Sequence, residues 1–347
     1  MVFGLFWLIL IISFAVGAEI GFDHHPIDSG MDAWYAVPAD LDGDGDVDVV
    51  GNGRMDGRIL WWENEGERGF TRHLIAERTW PMGTEAVDLD ADGDIDVVVA
   101  VQGDHHIFWY ENRGNGRFTE HRVHRLYSAT YVRTADMDLD GDVDILAAAC
   151  EMGSFKIAWY ENNGRESFTQ HIIKDDWMNA NAIVAADIDS DGDMDVAATA
   201  AKGAPGGWGE IAWFENDGDF RFTEHTLSSG WGKPSSVDAG DLDGDGDTDL
   251  LATVCSVHQV VWFENDGERG FTMHTIATGF ARPHCVRAVD FDGDGDLDVL
   301  GAAINRDEIA WWENNGRREF TKHVVSDEFD GASDVRAADI DGDGDLD

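Results

Sequence analysis

Cysteine is scarce, with Cys150, Cys255 and Cys285 as the only three in 347 residues. So small and odd a number builds no disulfide framework, and the thiols read as buried small hydrophobes, with one Cys255–Cys285 bridge as the alternative. Positive charge is scarce too. Against 70 Asp and Glu stand 24 Lys and Arg, a net charge of −46, which excludes nucleic acid as a partner because phosphate neutralisation needs clustered basic residues. The chain also lacks a nucleophile elbow, a phosphate loop and a zinc-ligand spacing. Its acidity does not mean disorder, since 43% hydrophobic residues and 14 tryptophans are more than a chain kept unfolded by its charge carries.

The N-terminal stretch "MVFGLFWLILIISFAVGA" (residues 1–18) is almost wholly apolar and ends in small residues, with Val16 and Ala18 placed as signal peptidase requires. It reads as a signal peptide, too short for the roughly 20 residues that comfortably span a bilayer. No Lys or Arg precedes the apolar core, so an uncleaved anchor is the alternative. Residues 19–347 then form an extracytoplasmic domain, secreted or at the cell surface, with no other transmembrane span.

That domain is repetitive. Nine-residue runs with five alternating aspartates begin at Asp40, Asp88, Asp136, Asp187, Asp241, Asp290 and Asp339, at intervals of 48, 48, 51, 54, 49 and 49 residues. Between them recur "ILWWEN" (from Ile59), "IFWYEN" (Ile107), "IAWYEN" (Ile157), "IAWFEN" (Ile211), "VVWFEN" (Val260) and "IAWWEN" (Ile309). A third word, Phe-x-x-His, starts at Phe22, Phe70, Phe118, Phe168, Phe222, Phe271 and Phe320. Each unit reads as four short strands, with E-N-x-G turning the third into the fourth, because Asn and Gly tolerate positive φ. Four strands per period of about 50 residues predict an all-β propeller of seven four-stranded blades. The N-terminal Phe-x-x-His strand is expected to complete the seventh blade. Because the sequence stops at Asp347, that blade's second and tryptophan strands are expected to be missing, which makes the chain a fragment.

The run D-x-D-x-D-G-x-x-D offers side-chain oxygens at positions 1, 3, 5 and 9 and a backbone carbonyl at 7, with Gly at 6 for the sharp turn; this is hard-cation chemistry and suits Ca²⁺. An EF-hand needs Glu at position 12, where the first loop has Gly51. The expected metal residues are Asp40, Asp42, Asp44, Asp46 and Asp48; Asp88, Asp90, Asp92, Asp94 and Asp96; Asp136, Asp138, Asp140, Asp142 and Asp144; Asp187, Asp189, Asp191, Asp193 and Asp195; Asp241, Asp243, Asp245, Asp247 and Asp249; Asp290, Asp292, Asp294, Asp296 and Asp298; Asp339, Asp341, Asp343, Asp345 and Asp347. Up to seven Ca²⁺ sites follow. These loops contain 35 of the 70 acidic residues, which explains most of the net charge.

These loops at this period resemble the FG-GAP-like or VCBS-type repeats, related to the integrin α-subunit propeller. The resemblance covers residues 22–347. The literal FG and GAP words are absent from the repeat phase, so integrin-specific partners are not carried over. It implies a secreted or surface-exposed, calcium-binding, seven-bladed propeller with its metal loops on the underside of the disc. Members serve in adhesion and ligand binding; similar propellers also occur in some polysaccharide lyases and a fungal sugar dehydratase.

Residues repeated in every unit, such as His73 or Trp61, read as structural, because one active site does not recur around a ring. Ligand contacts are sought where copies differ, opposite the metal loops. The connections into each first strand carry Trp80, Tyr127, Trp177, Trp231, Phe280 and Phe329, followed by Glu85, Tyr131, Asn179, Asn181, Lys233, Arg282, His284 and Asp334. Aromatics among polar groups suit a sugar ring, and the competing reading is that they plug gaps between blades. The second-to-third connections add His105, His106, Lys156, Trp208, His258 and Arg306. The expected function is a non-enzymatic binding or adhesion module for a glycan or an extracellular protein. The alternative is a lyase or dehydratase with His284 as base beside Arg282.

Overall fold

The computed structural model describes residues 8–16, 19–31, 33–150, 155–165, 167–202 and 208–347. The first blade is an antiparallel meander of Ala33–Ala39, Asp48–Gly53, Arg58–Asn64 and Phe70–Glu77. Five more of the same order follow, opening with Pro81–Val87, Ala129–Ala135, Ala180–Ala186, Pro234–Gly240 and Pro283–Val289. They close with Phe118–His124, Phe168–Asp175, Phe222–Ser229, Phe271–Thr278 and Phe320–Ser326.

Burial explains the strand types. Five of the second strands, such as Asp96–Val101, are buried at every residue, as a strand covered on both faces by neighbouring sheets must be. In the third strand, successive side chains point to opposite faces, yet Trp61 and Trp62 are 3% and 1% exposed, so both faces lie against protein. Trp109 of the second blade packs with Ala129, Val132 and Ile145 of the third, and Trp159 of the third with Ile183 and Val196 of the fourth. The core is thus a ring of interfaces between blades. Fourth strands are mostly half-buried or exposed, as at Phe70–Glu77, and form the rim.

The expected seven blades are not found: among the described residues there are six four-stranded sheets. After Ser326 the chain forms no further strand; Ala338 and Asp347 exchange one pair of backbone hydrogen bonds, at 3.3 and 2.9 Å. A blade needs a second and a tryptophan strand beside its aspartate loop, and residues 327–347 form neither. The N-terminal Phe-x-x-His segment does not join such a sheet either. It lies in Glu19–Asp28, paired with Leu8–Val16. Of the expected signal peptide, residues 1–7, 17 and 18 lie outside the described residues. No helix among the described residues is long and apolar enough to cross a membrane.

Candidate metal loops and ligand face

Six of the seven aspartate loops connect the first strand of a blade to the second; the loop from Asp339 has no strand on either side. The position-6 glycine has φ between 95° and 99° in all seven copies, from Gly45 to Gly344, a region that residues with a Cβ rarely adopt. This backbone aims the position-6 N–H at the position-1 carboxylate: Gly45 donates to Asp40 Oδ2 at 3.1 Å and Gly93 to Asp88 Oδ2 at 3.0 Å. The position-9 aspartate is held at both oxygens. Asp48 Oδ2 accepts the Leu41 N–H at 2.9 Å and Oδ1 accepts the Asn64 N–H at 2.7 Å.

Positions 1, 3 and 9 thereby converge. In the loops starting at Asp40, Asp88, Asp136, Asp187 and Asp241, one oxygen from each lies within 4.8 Å of the others. The position-5 carboxylate, expected as a fourth ligand, is not in the trio: Asp44 is exposed and accepts the Asp46 N–H at 2.9 Å. Burial pushes the Asp96 carboxyl up to about 7, against backbone hydrogen bonds from Asn112 and Leu89 that lower it. Asp144, Asp195, Asp249 and Asp298 are raised to about 7 and Asp48 to about 6, burial again the largest cause. Asp187 Oδ1, Asp189 Oδ1 and Asp290 Oδ1 are buried without a hydrogen-bond partner. Converging oxygen donors with unpaired buried atoms fit a hard divalent cation.

The repeated aromatics and histidines serve the frame. His73 stacks on its cross-strand neighbour Trp61, ring centroids 4.5 Å apart, and its Nε2 meets Glu63 Oε2 at 2.7 Å. The same trio recurs at Trp109, Trp159, Trp213, Trp262 and Trp311. The neighbouring Asn64 stitches blades, its Nδ2 donating to Ile340 O at 3.0 Å; Asn112 reaches Leu41 O at 2.7 Å and Asn162 reaches Leu89 O at 2.8 Å.

The expected ligand face divides. Trp177 and Phe280 are buried, edge-on to Phe214 at 5.3 Å and to Trp312 at 5.0 Å, and fill gaps between strands. Trp80 and Tyr127 are each 46% exposed, Tyr127 stacked on His105 at 3.9 Å. Trp231 is half-buried. Phe329, also half-buried, lines an apolar groove of about 140 Å³ with Phe22, Trp34, Phe291 and Val325. Asn179 and Asn181 donate to Ala201 O and Pro234 O, both at 2.8 Å. Lys233 and Arg282 are exposed, their backbone N–H groups held by Ser256 Oγ and His258 Nδ1 at 2.9 Å. His284 turns inward: its Nδ1 lies 2.9 Å from Ser333 O, its ring is edge-on to Trp34 at 5.4 Å, and burial lowers its pKa. Arg282 is exposed, while His284 Nδ1 is engaged with Ser333 O.

A family model described as FG-GAP-like repeat matches residues 40–99, 88–147, 136–198, 200–252, 253–301 and 290–347. The chain belongs to the FG-GAP-like repeat family. No curated protein matches its sequence significantly. Among solved structures, the propeller is similar to BBS1N in complex with ARL6DN, with TM-score 0.56, 14% identity, and 85% of this chain and 83% of that chain covered. It is also similar to a functionally unknown protein from Desulfotomaculum acetoxidans DSM 771, with TM-score 0.56, 11% identity, and 95% and 98% covered. At such identities the likeness is one of fold.

The FG-GAP-like propeller also holds a buried ionic network that sequence reasoning missed as a unit. Three residues before their aspartate loops stand Glu85, Arg133, Asp238, Arg287 and Arg336. Glu85 pairs with Arg133 and, at 3.2 Å, with Arg336. Arg336 Nε lies 3.7 Å from Asp334 Oδ2, and Arg287 Nη2 lies 3.5 Å from Asp334 Oδ1. Burial alone would raise the carboxyls of Glu85 and Asp334, but the surrounding arginines outweigh it and lower both. Burial pushes the Cys285 thiol, 3.0 Å from Asp334 Oδ1, up to about 11, which disfavours the thiolate. The rings of Tyr35 and Tyr131, from the first and third blades, meet edge-on at 5.9 Å in the same region, and Tyr131 is pushed up to about 12 by burial. Of the expected ligand residues, Glu85, Tyr131 and Asp334 belong here, tying the C-terminal segment to the second, third and sixth blades. A sequence signal existed: a single Asp, Glu or Arg at one repeat phase in strands with no other Asp, Glu, Lys or Arg.

Proposed function

We propose that this FG-GAP-like propeller is an exported, calcium-stabilised, non-enzymatic binding module for an extracellular protein or a glycan. The observation that carries the calcium part is the convergence of positions 1, 3 and 9 on one centre, with buried oxygens left unpaired. Ca²⁺ bound there offsets the repulsion among the carboxylates and fixes the loops. The residues that would hold it in the first loop are Asp40, Asp42 and Asp48. The ligand is received on the opposite face, where Trp80 and Tyr127 are exposed. A protein ligand, as BBS1N has in ARL6DN, is the first class to test, and glycans the second.

The test is to probe extracellular-protein and glycan arrays with the full chain in calcium and in chelator. Binding that needs calcium and is lost in Trp80→Ala with Tyr127→Ala supports the module. Calcium-independent binding, or binding indifferent to both substitutions, counts against it.

A further inference from the structure

The metal loops do not share one surrounding. We propose that the loops starting at Asp187 and Asp241 form a second, weaker class of calcium site, in which an arginine from the following blade competes with the cation. This rests on the calcium reading above.

Arg269, in the turn before Phe271 of the fifth blade, places Nη2 2.9 Å from Asp189 Oδ2 and 2.6 Å from Glu215 Oε1, both in the fourth blade. Arg318 stands at the matching place one blade on, at ion-pair distance without a hydrogen bond to the loop: Nη2 lies 2.7 Å from Asp243 Oδ2 and Nη1 2.5 Å from Glu264 Oε1. Asp189 and Asp243 are position-3 members of the converging trios, with side chains only 3% and 1% exposed. Asp189 Oδ1 remains buried and unpaired, so the loop still offers an oxygen to a cation beside the guanidinium.

The turn position is built to reach back. Arg269 and Arg318 adopt φ of 69° and 66°, a left-handed backbone unfavourable for residues with a Cβ. At the same phase the second and fourth blades carry Gly116 and Phe220, with φ of 64° and 58°. There the neighbours are rings: Phe220 lies 5.3 Å from Trp159, and the Gly116 backbone approaches Trp61. No guanidinium is therefore supplied from that position to the loops at Asp40 and Asp136. A fixed positive charge beside a ligating carboxylate repels an incoming dication, and at Asp189 the guanidinium also occupies Oδ2 through two hydrogen bonds, so affinity falls by about tenfold or more.

Hydrogen exchange of the full chain along a calcium titration reads each loop separately. Amides of residues 187–195 and 241–249 are expected to gain protection at about tenfold more calcium than those of 40–48 and 136–144. Arg269→Gln and Arg318→Gln should each move only their own loop to lower calcium. Protection of all loops at one calcium concentration, or earlier protection of the arginine-bearing pair, overturns the two-class proposal while leaving the calcium reading intact. Absence of protection in every loop overturns the calcium reading itself, and this proposal with it. If a variant does not fold, the wild-type profile alone decides.

Discussion

Asp48 Oδ1 accepts the backbone N–H of Asn64 at 2.7 Å, joining the last residue of an aspartate loop to the last residue of the tryptophan strand. The same bond, at the same length, links Asp96 to Asn112, Asp144 to Asn162, Asp195 to Asn216, Asp249 to Asn265 and Asp298 to Asn314. A carboxylate placed to bind a cation is thus also a fastening of the sheet. A cation bound at that carboxylate would therefore be coupled to blade stability.

Chelation is expected to lower the unfolding temperature strongly. A ligand that binds only the native state stabilises by about 2.7 kcal/mol per site at a hundredfold excess over Kd. Thermal unfolding in calcium and in chelator checks this, and an unchanged midpoint contradicts it.

In chelator, stability should fall as pH rises from about 4 to about 7. Asp96, Asp144, Asp195, Asp249 and Asp298 are raised to about 7 in the folded chain, so over that window the native state binds more protons than the unfolded state, and the slope is negative. Calcium, which needs ionised ligands, should reverse the trend. Melting curves at pH 5 and pH 8, with and without calcium, give the comparison; a chelated protein more stable at pH 8 would refute it.

Gly93 has φ 98° with no atom within 4 Å of an added Cβ, so Gly93→Ala meets no clash and reports backbone strain alone. A cost of about 1–2 kcal/mol is expected, together with loss of about one calcium equivalent by titration. A neutral result would mean the loop can relax away from this conformation.

Glu85 sits between Arg133 and Arg336. Removing one partner of a buried ion pair leaves uncompensated charge, so Glu85→Ala should cost about 3–5 kcal/mol in denaturant unfolding. A change below about 1 kcal/mol would show that the network is solvated.

Asn162 donates through Nδ2 to Leu89 O at 2.8 Å and Val143 O at 3.1 Å. Asn162→Ala strands both carbonyls and should destabilise by about 1–3 kcal/mol for each group left buried. Hydrogen exchange should show the loss concentrated between the second and third blades, and a uniform loss would speak against the stitch.

The sequence by itself determined the repeat period, the four strands of each blade and the aspartate loops, because these follow from local periodicity and from turn residues that demand positive φ. It also assigned the repeated Trp and His residues to the frame correctly, since a side chain used once per blade answers to the blade. Only the tertiary structure decided that the seventh loop and the N-terminal Phe-x-x-His segment build no blade together: among the described residues seven loops accompany six four-stranded sheets, and Glu19–Asp28 pairs with Leu8–Val16, because a sheet needs all its strands in space and a loop motif counts only one connection. Which exposed-looking residues are free was likewise decided in space. Trp177 and Phe280 fall into gaps between strands, and His284 turns onto Ser333. Glu85 and Arg336 lie 251 residues apart yet share a hydrogen bond, a pairing made by closure of the ring and by nothing local in the chain.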